Sequence, residues 1–187
     1  MQLVMQKLDS ALFLDRDGVI NRQIVGDYVR NISQFEWLPG AVDAIVKTGT
    51  LFRYVIVVTN QQGIGKGLMS VAEVTEIHDY IIREVRESGG RLDKIYCCPS
   101  LDSDNDPNRK PGTGMGMQAK QDFPEIEFNR SLMVGDSLSD MQFAERLGMQ
   151  RIFVTNGRLK PENVKYTCDS LAGLPYFLDK HNGKIFI

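Results

Sequence analysis

A doubly wound α/β fold around a mostly parallel, Rossmann-like sheet is what this sequence predicts, on three observations. Short apolar runs, each closed off by polar residues or glycine, recur along the chain as buried parallel strands do. Apolar residues at helical spacing fall between those runs. The residues that follow several of the runs are acids, amides or hydroxyls, and in such sheets ligands are met beyond the carboxyl ends of the strands.

Ala11 to Leu14 is the first strand, running straight into Asp15 and Asp17. Ala41 to Lys47, after Pro39, has the pattern of a helix. Tyr54 to Val58 is the second strand and delivers Thr59 and Asn60. Ser70 and Glu73 form a capping-box pattern, and Val71, Val74, Ile77, Ile81, Ile82 and Val85 then follow at helical spacing until Gly89 and Gly90 stop the helix. Leu92 to Cys97 is a further strand. The segment from Asp102 to Gly116, rich in Asp, Asn, Pro and Gly, reads as an exposed loop leading into a helix around Met117 to Gln121. Ser131 to Val134 is a strand that brings Asp136 and Asp140 beyond its end, Leu138 to Leu147 is a helix stopped at Gly148, and Arg151 to Val154 is a fifth strand. Only about thirty residues separate Asn21 from Tyr54, and they must already supply a flap and a helix, so no large cap domain is expected.

The bulk composition narrows the function. A chain of 187 residues, 42% hydrophobic and 25% charged, fits one domain spanning residues 1–187 with a sizeable core. Twenty-two basic residues against 24 acidic ones leave a net charge of −2, so no overall field recruits nucleic acid or an acidic membrane, and an anionic substrate must be gripped locally. Three cysteines make no disulfide framework. No apolar run approaches the roughly 18 residues that span a bilayer, and no signal peptide is visible. A cytoplasmic monomer acting on a small phosphorylated molecule, without nucleic acid or membrane partners, is expected.

Asp15 and Asp17 stand two apart where the backbone leaves the sheet. Hydrolysis of a phosphate monoester is among the slowest uncatalysed reactions, and one enzymatic route divides it through a covalent aspartyl-phosphate. Asp15 suits the nucleophile and Asp17 the acid that protonates the leaving alkoxide and later takes a proton from water. Two carboxylates repel a phosphate dianion unless a hard cation lies between, and Asp136, arriving from another strand, would complete a magnesium site with Asp15 and Asp17. Thr59, Asn60 and Lys110 can meet the charge on the phosphoryl oxygens.

Other features have plainer readings. The glycines around Lys66 lack the spacing of a phosphate loop, and those from Gly112 to Gly116 that of a dinucleotide fingerprint. His78 lies on the face of its helix that carries Val74 and Ile81, as a structural histidine would, and His181 reads as a tail residue. Tyr28, Phe35 and Trp37 could line a substrate cleft, with flap packing an equal reading for Phe35 and Trp37. Asp140 is either a helix cap and supporting hydrogen-bond partner or a direct metal contact.

Four segments in order, Asp15-Arg16-Asp17-Gly18-Val19, Val57-Val58-Thr59-Asn60, Arg109-Lys110-Pro111 and Val134-Gly135-Asp136-Ser137-Leu138-Ser139-Asp140-Met141, resemble the four motifs of the haloacid-dehalogenase superfamily. Asp27-Tyr28-Val29 and the run from Thr59 to Gly67 resemble, within it, the branch of heptose 1,7-bisphosphate and histidinol-phosphate phosphatases. The resemblance covers roughly residues 10–157. It implies magnesium on Asp15, the Asp17 carbonyl and Asp136, and substrate contacts from Asp27, Tyr28, Gln61, Gln62 and Arg109. Hydrolysis of the 7-phosphate of D-glycero-D-manno-heptose 1,7-bisphosphate is the leading expectation, with histidinol-phosphate hydrolysis and a non-catalytic module that binds phosphorylated sugars as alternatives. Two departures stand out. Members of the branch often bind zinc through a Cys-x-His and a Cys-x-Cys pair. Here the corresponding stretches read Cys97-Cys98-Pro99-Ser100 and Asp106-Pro107-Asn108-Arg109, so zinc is expected to be absent. Ser137 stands where the heptose enzymes usually have lysine.

Overall fold

The computed structural model describes residues 8–181. Six strands, β1 (Leu8–Leu14), β2 (Phe52–Asn60), β3 (Lys94–Cys98), β4 (Leu132–Gly135), β5 (Gln150–Val154) and β6 (Tyr166–Cys168), form one sheet in the order β3-β2-β1-β4-β5-β6. Every pairing is parallel. The order reverses between β1 and β4, so the crevice of this doubly wound sheet opens between the ends of those two strands.

The central strands are apolar on both faces because both faces are covered. Leu12 and Leu14 of β1, Val55 and Val57 of β2, and Leu132 and Val134 of β4 enter one core. It is closed by α1 (Ala41–Gly49), α3 (Val71–Glu87) and α6 (Leu174–His181) through Ile45, Ile77, Ile81 and Leu178. The alternate residues Phe13, Ile56, Val58 and Met133 enter a second core under α4 (Gly114–Asp122) and α5 (Leu138–Leu147), packed by Met115, Ala119 and Phe143. A strand with a period of two therefore feeds two cores at once. The Ser70 side chain accepts from the Glu73 amide while the Glu73 carboxylate takes the Ser70 N–H, starting α3 where the sequence pattern places it.

Several boundaries and elements differ from expectation. Leu92 is buried but precedes β3, which begins at Lys94. The helix expected around Met117 begins earlier, at Gly114. A single turn, α2 (Gln62–Gly65), follows β2 directly, and β6 with α6 adds a sixth strand and a helix beyond β5. His181 is not a loose tail residue. Its ring stacks on Phe177 with centroids 4.1 Å apart, and it closes α6. Phe35 and Trp37 lie edge to face at 5.1 Å, with Tyr80 against Phe35 at 5.5 Å, and pack on the first core, which settles them as flap packing. The flap between β1 and α1 holds one short 3-10 turn, Ile32–Gln34, and no inserted cap. Among the described residues no helix is long and apolar enough to cross a membrane.

Candidate active site

Asp15 is the first residue past β1, and its amide donates to Val134 O of β4 at 3.0 Å, tying the two strand ends together. Gly18, at φ +84°, turns the chain back across the crevice. A Cβ there would lie 2.2 Å from Asp136 Oδ2, so only glycine admits that carboxylate. Asp140 rides on the first turn of α5, where Ser137 and Asp140 form a second capping box.

Lys110 Nζ is buried at the centre of the site. It donates to Asp15 Oδ1 at 2.8 Å, Asp140 Oδ1 at 2.6 Å and Val58 O at 2.8 Å. All three ammonium protons are thus committed within the protein. Lys110 therefore offers the cavity its charge rather than a spare donor. Burial opposes its charge, yet Asp140 and Asp15 hold the ammonium above its ordinary pKa. Asn60 is similarly committed. Its Nδ2 donates to Lys110 O at 3.0 Å and its Oδ1 accepts from Lys110 N at 2.9 Å, so the side chain is first a strap for the lysine and only secondarily a cavity wall.

Oxygens of Asp15, Asp136 and Asp140 lie within 4.8 Å of one another. Both Asp140 oxygens are occupied, one by Lys110 and the other by the Ser137 amide and hydroxyl, which makes Asp140 a cap and an anchor rather than an open ligand. Arg158 Nη2, from the loop after β5, reaches Asp136 Oδ2 at 2.8 Å and Asp136 O at 3.0 Å. With Lys110 on Asp15 Oδ1 and Arg158 on Asp136 Oδ2, the second oxygen of each carboxylate has no partner among the described residues. Burial and the Asp140 charge push Asp15 up to about 8, with Lys110 pulling the other way and Asp136 adding to the rise. Burial and Asp140 likewise raise Asp136 to about 6, against Arg158 and Lys110. Surplus negative charge beside two open carboxylate oxygens is the chemistry that a hard divalent cation satisfies.

The Asp17 carboxylate is outside that cluster. Its Oδ1 accepts from Arg16 Nη2 and Asn21 Nδ2, each at 2.9 Å, and its Oδ2 from Gln61 Nε2 at 2.7 Å. A metal contact from Asp17 must then come from its main-chain carbonyl, as the resemblance implies. Burial would raise Asp17, but the Arg16 guanidinium and the Asn21 and Gln61 donors outweigh it and hold the carboxyl below its usual range. Arg16 is itself fully buried, with Nη1 3.4 Å from His78 Nε2; burial and then Arg16 push His78 down to about 3, confirming a neutral structural histidine.

The cavity above Asp15 and Asp136 is lined by Thr59, Asn60, Gln62, Arg109, Asp27 and Tyr28, together with Ser137 and Ser139. Tyr28 accepts from Lys66 Nζ at 3.0 Å, and Asp27 pairs with Arg30 at 2.6 Å. Arg109 is steadied by Asp102 Oδ1 at 3.2 Å and Ser100 O at 3.4 Å. Gln61 is the exception among the expected contacts, being fully buried and absent from the cavity wall. Sequence reasoning missed Arg158 and the Arg16–His78 pair. Arg158 follows a strand end on the same rim as the acids, which was an available clue, whereas nothing in the spacing of Arg16 and His78 announces their contact.

A family model described as HAD-hydrolase-like matches residues 107–174. Over 136 residues the chain is 48% identical to a D-glycero-alpha-D-manno-heptose-1,7-bisphosphate 7-phosphatase of Mycobacterium bovis, covering 73% of this chain and 72% of that one. It is 33% identical to a D-glycero-beta-D-manno-heptose-1,7-bisphosphate 7-phosphatase of Escherichia coli O6:H1, covering 94% of this chain and 97% of the relative. The crystal structure of D,D-heptose 1,7-bisphosphate phosphatase from B. bronchiseptica, complexed with magnesium and phosphate, superposes with a TM-score of 0.81 at 31% identity, over 92% of this chain and 99% of that one. Sheet order, the acids at the switch point and these likenesses agree: the chain belongs to the haloacid-dehalogenase hydrolases, in their heptose-1,7-bisphosphate phosphatase branch.

Proposed function

We propose that this protein removes the 7-phosphate from D-glycero-D-manno-heptose 1,7-bisphosphate through an aspartyl-phosphate on Asp15. The observation that carries the reading is the state of Asp15: one oxygen is held by Lys110 at 2.8 Å and the other is open beside Asp136 at the mouth of the cavity. A lone carboxylate in a turn has no need of such an arrangement.

The open Asp15 oxygen attacks phosphorus, forming the O–P bond as the bond to the sugar oxygen breaks, and Asp17, ionised in the free protein, takes up a proton at Oδ2 from the substrate's phosphate monoanion and passes it to the departing alkoxide. Asp17 then takes a proton from the water that attacks phosphorus, releasing inorganic phosphate and restoring Asp15. The Thr59 hydroxyl donates to a phosphoryl oxygen, while Lys110 offsets charge on Asp15 and the phosphoryl group together. Asp15, Asp136 and the Asp17 carbonyl would hold a magnesium ion, whose charge would screen the carboxylates from the incoming anion. At the rim, Arg109 meets the second phosphate, and Asp27, Tyr28 and Gln62 meet the sugar between. No zinc is required, because the loop before Arg109 is tied by Asp106.

Turnover of both anomers of the heptose bisphosphate, histidinol phosphate and p-nitrophenyl phosphate tests the assignment. The heptose substrates should be preferred, and Asp15→Asn should abolish hydrolysis of all four while leaving the fold intact. Preference for histidinol phosphate would reassign the substrate. Near-normal activity of Asp15→Asn would remove the proposed nucleophile.

A further inference from the structure

The branch resemblance places Gln61 among the substrate contacts, yet its side chain is fully buried behind the cavity. Its main-chain amide is pinned to Cys98 O at 2.7 Å, at the end of β3. Both protons of its side-chain amide are spoken for, one donated to Asp17 Oδ2 at 2.7 Å and the other to Thr59 Oγ1 at 2.8 Å. The amide cannot be turned over, since its oxygen would then face a carboxylate oxygen at hydrogen-bond distance. Gln61 Oε1 is left without a hydrogen-bond partner among the described residues. An amide that leaves its own oxygen unpaired in a buried place is held there by its two donor bonds.

Those bonds have different chemical consequences. Asp17 Oδ1 already accepts from Arg16 and Asn21, which occupies both of its lone pairs. Oδ2 accepts from Gln61 alone and keeps one lone pair, so it is the oxygen that can carry a proton to a leaving group, and Gln61 sets where that lone pair points. At Thr59 the hydroxyl oxygen accepts from Gln61, so its own proton is free to be donated into the cavity that Thr59 lines.

We propose that Gln61 is a positioning residue that aligns the proton-carrying oxygen of Asp17 with the Thr59 hydroxyl, binding the leaving-group side of the reaction to the phosphoryl-gripping side. This rests on Asp17 acting as the general acid. Gln61→Met keeps the length of the side chain and removes both donors. Gln61→Glu keeps its shape, repels Asp17 and draws the Thr59 proton inward.

The test compares kcat/KM on two substrates, because this ratio reports the steps up to departure of the leaving group and leaves out the aspartyl-phosphate hydrolysis that both share. From the heptose bisphosphate the dephosphorylated sugar leaves as an alkoxide that needs a proton, whereas p-nitrophenyl phosphate releases a phenolate that does not. Asp17→Asn sets the reference and should lose at least about tenfold more on the sugar phosphate than on the aryl phosphate, in line with what general acid catalysis contributes. Gln61→Met should show the same selective loss in kcat/KM, and Gln61→Glu a deeper one. Either variant suffices if the other fails to fold, because each alone asks whether the loss tracks the leaving group. Equal losses on both substrates from Gln61 variants, with Asp17→Asn selective, would reduce Gln61 to ordinary packing and overturn the inference while leaving the acid intact. Should Asp17→Asn itself show no selectivity, the acid role of Asp17 fails and the inference falls with it.

Discussion

At the residue level the site depends on atoms with no freedom to spare. Gly18 has a positive φ of +84° and a missing Cβ that would stand 2.2 Å from Asp136 Oδ2. Gly18→Ala should therefore displace Asp136, lowering kcat/KM by about 100-fold, the usual cost of misplacing a reacting group by an ångström. Wild-type kinetics in that variant would show that Asp136 is not needed where it stands. His78 makes a different contribution. Held near 3 in the folded protein by burial and Arg16, it takes up a proton only on unfolding. With a folded pKa below the unfolded value of about 6.5, its cost is absent above that pH and grows as pH falls toward 3, reaching about 2 kcal/mol at pH 5. Urea unfolding at pH 7 and pH 5 should show a smaller acid-induced loss in His78→Gln than in the wild type, and equal losses would rule out this source. Asp15, Asp17 and Asp136 were legible as one rim because strand ends and acid spacing are local patterns. The saturation of Lys110, the burial of Gln61 and the reach of Arg158 were not, because each depends on where three or more separate segments meet.

Among the elements, strands buried on both faces were the most readable, since Leu12 to Leu14 and Val55 to Val58 have no polar residue to mislead. β6 escaped notice because it has only three residues and follows a stretch rich in Lys, Pro and Asn. The segment from Pro99 to Arg109 shows how a loop is organised without soft metal ligands. The Asp106 carboxylate accepts from the Ser100 hydroxyl, from Asn108 N at 2.8 Å and from Cys98 Sγ at 3.8 Å, and these donors hold it below its ordinary pKa. Ser100 O in turn steadies Arg109. One cysteine, one hydroxyl and one amide gathered on a carboxylate are no tetrahedral thiolate and imidazole set. Elemental analysis of the purified protein should find no stoichiometric zinc, and one zinc per chain would refute this account of the loop.

For the molecule as a whole, the acids at the switch point set function against stability. Asp15, Asp136 and Asp140 crowd into one buried place with Lys110 and Arg158 as the opposing charges. A cation that binds only the folded chain relieves this, and at a hundred times its Kd it adds about 2.7 kcal/mol to stability. Magnesium should raise the melting temperature in the absence of substrate, and Asp136→Asn should cancel most of the rise. A melting temperature indifferent to magnesium would mean the carboxylates do not form its site.

The strand order has one more implication, for the order of events as the chain is made. β1 runs into Asp15, the proposed nucleophile, but its two neighbours are β2 and β4, and the Ala11 amide finds the Ser131 hydroxyl 120 residues further along. Asp15 leaves the ribosome long before Asp136, so a truncated or half-translated polypeptide has one carboxylate of the site without the other. The two carboxylates that frame the crevice therefore face each other only in a chain long enough for β4 to pair with β1 in the middle of the sheet.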